Sequence, residues 1–382
     1  MHPPRDTAAE SSSIVAWPTL HPTTQAAYNQ ILWNHGLAKA DVARRLGVSR
    51  TRMTTVGREL ELAGLVSAGG RGAHQAFGRP GDILVAVPDR YHFLGVHVRA
   101  RQLVAAVIDM ENVVVWGADA IVSSLDASVL LEQCERWLAE ARSSGFRVAA
   151  LAICGSFEQL DDAPVGLDLH SIIGESDRIR LSERIGGPVW VEDDMVALTA
   201  FEQWPRLDDG QDSLALVSVG AQIGFGLVAD RKIIVGAHRT AGRFAHVPVA
   251  PDGPLCPLGH RGCLWSVASV ASILAQSGAG SLEEVAERAA TDADADRILS
   301  AAARGLGAAV GHVANLVDPD KVVLTGDARQ LLEGRDDEFA GGLHDVALGA
   351  LPLVELADFG FTEWARAAAA LGLYRTLGGD GI

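Results

Sequence analysis

Between Ser49 and Arg58 the chain sets three arginines, Arg50, Arg52 and Arg58, among the small hydroxyl side chains Ser49, Thr51, Thr54 and Thr55. A guanidinium donates paired hydrogen bonds to a guanine edge or to phosphate oxygens, and short hydroxyls reach both kinds of acceptor. These residue types can therefore read a nucleic acid, provided that they share a face. Their spacing provides one. Met53, Val56 and Leu60 recur at helical intervals and should face inward, which turns Arg50, Thr51, Arg52, Thr54, Thr55 and Arg58 outward.

Positioning that face requires particular neighbours. Ser49 is the expected N-cap, Gly47 supplies the freedom of a sharp turn, and Val42 and Leu46 mark the buried side of a shorter helix before it. Residues 39–58 thus read as a helix-turn-helix whose second helix enters a DNA major groove. A preceding helix over 23–35, with Tyr28, Ile31 and Leu32 as its apolar stripe, should pack beneath the pair. Leu62, Leu65 and Val66 then lead into a glycine-rich stretch and an alternating apolar strand, the outline of a two-stranded wing. Arg71 and Arg79 fall near its tip, and Arg79, between Gly and Pro, can lie along a narrow minor groove; an ordinary surface arginine beside a turn is the alternative.

The whole chain carries a net charge of −16, which argues against nucleic-acid binding by the molecule at large, but the charge is uneven. Residues 39–80 hold eight Lys/Arg against three Asp/Glu, so this segment is +5 and the remainder −21. An acidic body would repel phosphates and limit indiscriminate contact by a basic head. At 382 residues and 48% hydrophobic content, two or three domains with filled cores are expected. No apolar run approaches the ~18–20 residues of a membrane span. Residues 1–20 read as a disordered tail without the apolar segment of a signal peptide, so a cytoplasmic setting with no membrane partner is expected. Four cysteines are too few for a disulfide scaffold and should be reduced or metal-bound, with Cys134 and Cys154 filling core space as small hydrophobes. His21, His35 and His92 read as isolated surface or helix-end groups, and the alanine runs at 301–303 and 367–370 as close-packed helix faces.

From Tyr91 strands and helices alternate. Three hairpin-connected strands, a helix over 127–144, a strand at 148–157, a helix at 179–185 and a strand running into a helix over 188–204 make one α/β half. From Ser213 the pattern repeats with two or three strands, a helix over 297–316, a strand from 321 and a closing helix over 364–377. Two such halves suggest a duplicated architecture around a cleft.

Three stretches carry a resemblance to a known family: GAHRTAGRFAHVPVAPDGPLCPLGHRGCLW (236–265), VEDDMVA (191–197) and VGAQIGFG (219–226). They resemble, respectively, the loop with a ligand-contacting histidine and cysteine cluster, the acidic sugar-site segment and the phosphate loop of the ROK family. That family groups sugar-responsive bacterial repressors with sugar kinases, and the chain is most similar to its regulator branch. The resemblance implies an α/β fold with an N-terminal winged helix-turn-helix over 21–88. It places after this head a duplicated actin-like, ribonuclease H-like body of two lobes over 89–382, for effector binding and oligomerisation.

By the same resemblance the sugar site comprises Asp193, Asp194, Arg243, His246 and Trp265. Arg243 and Trp265 stand where the family has glutamates, which implies a modified or anionic sugar with Arg243 as charge partner and Trp265 as stacking surface. The alternative is that Arg243 pairs with Asp193 and the pocket binds nothing. The family's structural zinc is held by a histidine and three cysteines, matched here by His246, Cys256, Leu258 and Cys263, so His260 is the candidate fourth ligand; a metal-free loop is the alternative. Nucleotide binding is not expected. His97, Val98, Arg99, Ala100 and Arg101 put bulk and charge where kinases of the family have an Asp, small residues and a Thr, and Ala221 and Gln222 replace the phosphate-loop hydroxyl and glycine. Asp194, at the position of the kinases' general base, is then a ligand contact rather than a catalyst. The implied function is a repressor of carbohydrate-metabolism genes, without enzyme activity, bound as a homodimer or dimer of dimers to an inverted repeat of double-stranded DNA. The rival is a sugar kinase phosphorylating a hexose with ATP; a third reading is a regulator answering only to a partner protein.

Overall fold

Helix α3 (Arg50–Leu62) starts where its sequence directs: Ser49 is extended, and its hydroxyl accepts from the Arg52 amide at 3.2 Å. The computed structural model describes residues 16–69, 83–99, 101–155, 169–203, 212–237 and 243–378. Before α3 lie α1 (Pro22–Trp33), β1 (Leu37–Ala38) and α2 (Lys39–Arg45), and after it β2 (Val66–Ala68) and β3 (Ile83–Ala86). Gly47 turns the chain between α2 and α3 at φ +65. Tyr28, Ile31, Val42, Met53, Val56 and Leu60 are all buried, and each apolar side chain removed from water contributes about 1.5–3 kcal/mol.

The head sheet has three strands in the order β1-β3-β2, one more than the expected wing. The added strand is two residues long, pairing Leu37 with Leu84 and Ala38 with Ile83, too short to show an alternation. Residues 70–82, with Arg71 and Arg79, lie outside the described residues, as do residues 1–15.

The first lobe is a five-stranded sheet ordered β6-β5-β4-β7-β8. Strands β4 (His92–Arg99), β5 (Gln102–Ile108) and β6 (Val114–Ile121) form an antiparallel meander, and β7 (Val148–Gly155) and β8 (Val189–Glu192) run parallel to β4. Between them come α4 (Ala127–Ser143), α5 (Leu169–Ile172) and α6 (Glu175–Ile185). Leu94, Val96 and Val98 share a core with α4 and α6. Helix α7 (Asp194–Gln203) leads from β8 towards the second lobe.

That lobe repeats the order as β11-β10-β9-β12-β13. Strands β9 (Leu214–Val219), β10 (Ile223–Ala229) and β11 (Lys232–Ile233) are antiparallel; β12 (Lys321–Gly326) and β13 (Leu353–Leu356) are parallel to β9. Helices α8 (Leu264–Ala268), α9 (Val270–Ser277), α10 (Leu282–Ala289), α11 (Ala293–Val317), α12 (Ala328–Leu332) and α13 (Asp336–Val346) complete it. The same meander followed by two parallel strands in both halves is the duplication that the alternating pattern suggested.

Helix α14 (Phe361–Thr376) crosses back to the first lobe. Ala365 and Ala367–Ala370 are fully buried, and Gly95 of β4 admits the helix backbone so closely that a methyl there would overlap the Ala365 carbonyl oxygen and the Ala369 amide nitrogen. The alanine run is thus a packing surface, as its composition indicated. The head rests on this unit: Trp17 lies 5.1 Å from the Tyr91 ring, and Asn29 Nδ2 donates to Leu377 O at 2.9 Å. His92, expected at the surface, is buried, and its Nδ1 accepts from the Arg147 amide, so burial holds its pKa below the ordinary value. Among the described residues no helix is long and apolar enough to cross a membrane.

Candidate functional site

On α3, Ser49, Arg50, Thr51, Thr54, Thr55 and Arg58 are exposed, whereas Arg52 is partly buried. The Thr54 and Thr55 hydroxyls donate to the carbonyls of Arg50 and Thr51 one turn back, which fixes them and leaves their lone pairs outward. Arg50 and Arg58 make no ion pair among the described residues, so both guanidiniums face solvent with their donors available. Arg52 differs, since its Nη2 lies 3.3 Å from Nδ1 of His21, the residue that caps α1. It braces the head as well as carrying charge.

In the cleft, β8 delivers the acidic run Glu192, Asp193 and Asp194 at the start of α7. Asp193 is exposed and its Oδ1 accepts from the Met195 amide at 2.8 Å, capping α7 and fixing Asp194 on its first turn. Asp194 Oδ2 stands 3.8 Å from His97 Nε2. His97 is 4% exposed and stacks on Trp364 of α14, ring centroids 5.4 Å apart.

Arg99 and Arg101 are exposed at the end of the β4–β5 hairpin, and His97 on β4 is buried. Burial and the charge of Glu283 raise the pKa of Asp327, which follows β12, and the charge of Arg99 opposes them.

Across the cleft, Gln222 of the phosphate-like loop accepts at Oε1 from Trp265 Nε1, 2.6 Å away. Trp265 is partly buried with its one donor spent on Gln222, which ties α8 to the β9–β10 turn. Strand β10 lies tight on α7, because methyls at Gly224 and Gly226 would run into Met195 Sδ and Thr199 Oγ1. Arg243 is exposed and forms no ion pair among the described residues, so it does not pair with Asp193.

His246 is oriented by the cysteine loop. Its Nδ1 lies 3.7 Å from Cys256 Sγ and 3.6 Å from Cys263 Sγ, and both cysteines are buried. A tetrahedral ion with Zn–S near 2.3 Å and Zn–N near 2.0 Å has S···N edges of roughly 3.5 Å, which these distances match. The His260 ring lies beside that of His246, and one ligand atom from each of His246, Cys256, His260 and Cys263 falls within 4.8 Å of the others. Leu258 is 64% exposed, and His260 is the candidate for the fourth corner. The donor set fits zinc, whose contribution there is to cross-link residues 246–263. Protein purified without a polyhistidine tag should contain about one zinc per chain, falling below roughly a tenth in Cys263→Ser, since a thiolate is the strongest ligand type present. Elemental analysis that finds no zinc in the unaltered protein removes the site.

Two residues of this region went unmarked in the sequence. Glu192 accepts from Arg375 Nη2 of α14 at 2.7 Å and lies 4.0 Å from His170 Nε2. No local pattern joins Glu192 to an arginine near the end of the chain. Cys154, beside this group, is fully buried, and burial followed by Asp194 pushes its thiol well above the ordinary range; burial pushes Cys134 up to about 12. Both are inert core residues.

Comparisons with known proteins agree with this fold. Residues 178–332 match the model of the ROK family. A ROK family transcriptional regulator, described as a homolog of the E. coli MLC protein, superposes with a TM-score of 0.75 at 21% identity, covering 94% of this chain and 98% of that one. The ROK hexokinase of Thermus thermophilus follows the same fold with a TM-score of 0.64 at 22% identity over 74% of this chain and 98% of its own. In sequence, the glucokinase of Halalkalibacterium halodurans is 30% identical over 168 residues, 38% of this chain and 51% of that protein. The chain spans about half the length, or less, of the curated relatives it matches.

Proposed function

The chain carries a ROK family domain, and on that premise we propose that it is a DNA-binding transcriptional regulator, a repressor of carbohydrate-metabolism genes released by a sugar or sugar derivative. The observation that carries this reading is the outer face of α3, where Arg50 and Arg58 stand exposed beside Thr51, Thr54 and Thr55 on a capped helix. A buried packing helix would not keep unpaired arginines on its open side. Arg71 and Arg79, outside the described residues, are the further DNA-contact candidates that the sequence offers. One such head covers little DNA, so two related by a twofold axis, in a homodimer or dimer of dimers, meet an inverted repeat.

The effector lies between the lobes, held by Asp193, Asp194, Arg243, His246 and Trp265. Asp194 and Asp193 accept from its hydroxyls, and Arg243, exposed and without an ion pair among the described residues, takes an anionic substituent. Zinc on His246, Cys256, His260 and Cys263 stiffens the loop that bears one of these groups. Ligand binding alters the angle between lobes and with it the spacing of the heads, since a ligand that contacts both lobes binds one arrangement better than the other.

The kinase reading draws on the glucokinase similarity and on Asp194 itself. Against it, His97 sits on Asp194 and Gln222 is held by Trp265. A coupled ADP-release assay with ATP, magnesium and a hexose panel should show no rate above the protein-free blank. Sustained turnover on any hexose would establish a kinase and end the proposal.

A further inference from the structure

The last turn of α14 and the residue after it touch three parts of the molecule. Tyr374 Oη donates to the carbonyl of Arg231, 3.0 Å away in the β10–β11 turn of the second lobe. Arg375 Nη2 donates to Glu192 Oε1, 2.7 Å away at the end of β8 in the first lobe. Leu377 offers its carbonyl to Asn29 Nδ2, 2.9 Å away on α1 of the head. We infer that residues 374–377 are the joint through which a change of cleft angle reaches the DNA-binding head, with the Arg375–Glu192 pair as its anchor. The inference rests on the regulator reading for its purpose, but not for its mechanics.

The anchor is strong because it is dry. The Glu192 side chain is 3% exposed and that of Arg375 12%, so separating them leaves charge stranded away from water. The end of α14 must therefore follow β8 wherever it moves. Glu192 immediately precedes Asp193 and Asp194, so a ligand on those carboxylates acts on the strand end that holds the helix. The Tyr374 bond gives the same turn a hold on the opposite lobe, at a tight turn in which Asp230 and Arg231 both adopt positive φ and Arg231 pairs with Asp212. Lobe closure thus pulls the turn from two sides. Leu377 is two residues beyond Arg375, within a single ~5.4 Å helical pitch, so little of the displacement is lost before Asn29. The first turn of α14 meets the site as well, through Trp364 on His97. One apolar cluster runs unbroken from Tyr28 of the head to Leu371 and Tyr374, so the head is packed on this helix rather than tethered to it.

Hydrogen–deuterium exchange of the full chain tests the joint without DNA or effector, so its result is separate from that of the DNA-binding claim. In Arg375→Lys and in Glu192→Gln, amides of α1 (22–33) should exchange roughly tenfold faster than in the unaltered protein, because their docking surface loosens locally. Those of α10 (282–289), in the far part of the second lobe, should not change. Tyr374→Phe, which removes one hydroxyl and keeps the packing, should speed α1 less and the 229–233 turn more, and serves if Glu192→Gln fails to fold. Unchanged α1 exchange in a folded Arg375→Lys protein, or an equal rise in α10, overturns the inference.

Discussion

Replacing Arg50 and Arg58 together with alanine is expected to weaken binding to the chain's DNA target roughly a hundredfold or more, at about 1–3 kcal/mol for each arginine that reads a base or phosphate. The folded state should not notice. Both side chains are exposed and ion-pair with nothing among the described residues, and surface changes of that kind stay within about 0.5 kcal/mol. Arg44→Ala is the matched control, since Arg44 is exposed on the helix before and already paired with Asp41 at 2.7 Å. It should lower affinity only through bulk charge, with the loss shrinking at higher salt. Arg52→Ala should behave as a mixture, losing affinity and some thermal stability, because its guanidinium bridges to His21. Fluorescence anisotropy over a salt series separates the three. A double variant that loses less than threefold would mean that α3 does not read DNA.

Gly95→Ala should be strongly destabilising. The added carbon would overlap the Ala365 carbonyl and the Ala369 amide and stand 2.8 Å from Ala369 Cα, so no rotamer change relieves it and strand must part from helix. A cost of about 3 kcal/mol or more follows, the upper end of overpacking penalties. Each kilocalorie lowers the melting temperature by roughly 2–4 °C in a domain of this size. Because α14 also supports the head, DNA affinity should fall with stability. Gly349→Ala is the control, with nothing within 4 Å of the new methyl. Equal melting temperatures for Gly95→Ala and the unaltered protein would contradict the close approach of β4 and α14.

The parts of this architecture that the sequence reveals are those set by local spacing. Ser49, Met53, Val56 and Leu60 announce α3 because cap and apolar period lie within one helix. Ala367–Ala370 announce close packing because a small-residue face has few other uses. The cysteine loop shows its candidate metal ligands because three of the four lie within eight residues, with only Leu258 out of pattern. The contacts that define the cleft are different. Gln222 and Trp265, Glu192 and Arg375, and Asn29 and Leu377 meet only after the chain has folded, and each partner alone resembles an ordinary surface residue. The burial of His97 is hidden for a related reason. Strand alternation puts Gly95, His97 and Arg99 on one face, and α14 meets the first two through Ala365, Ala369 and Trp364, whereas Arg99 is exposed.

The regulator reading depends on the chain recognising duplex DNA through α3, and repeated selection from a random duplex pool by the purified protein tests that directly. The expected product is an inverted repeat whose half-sites lie about one helical turn apart, ~10 base pairs centre to centre, retained by the unaltered protein and lost by the Arg50→Ala, Arg58→Ala double variant. A pool that stays unenriched, or one enriched equally by both proteins, would contradict it.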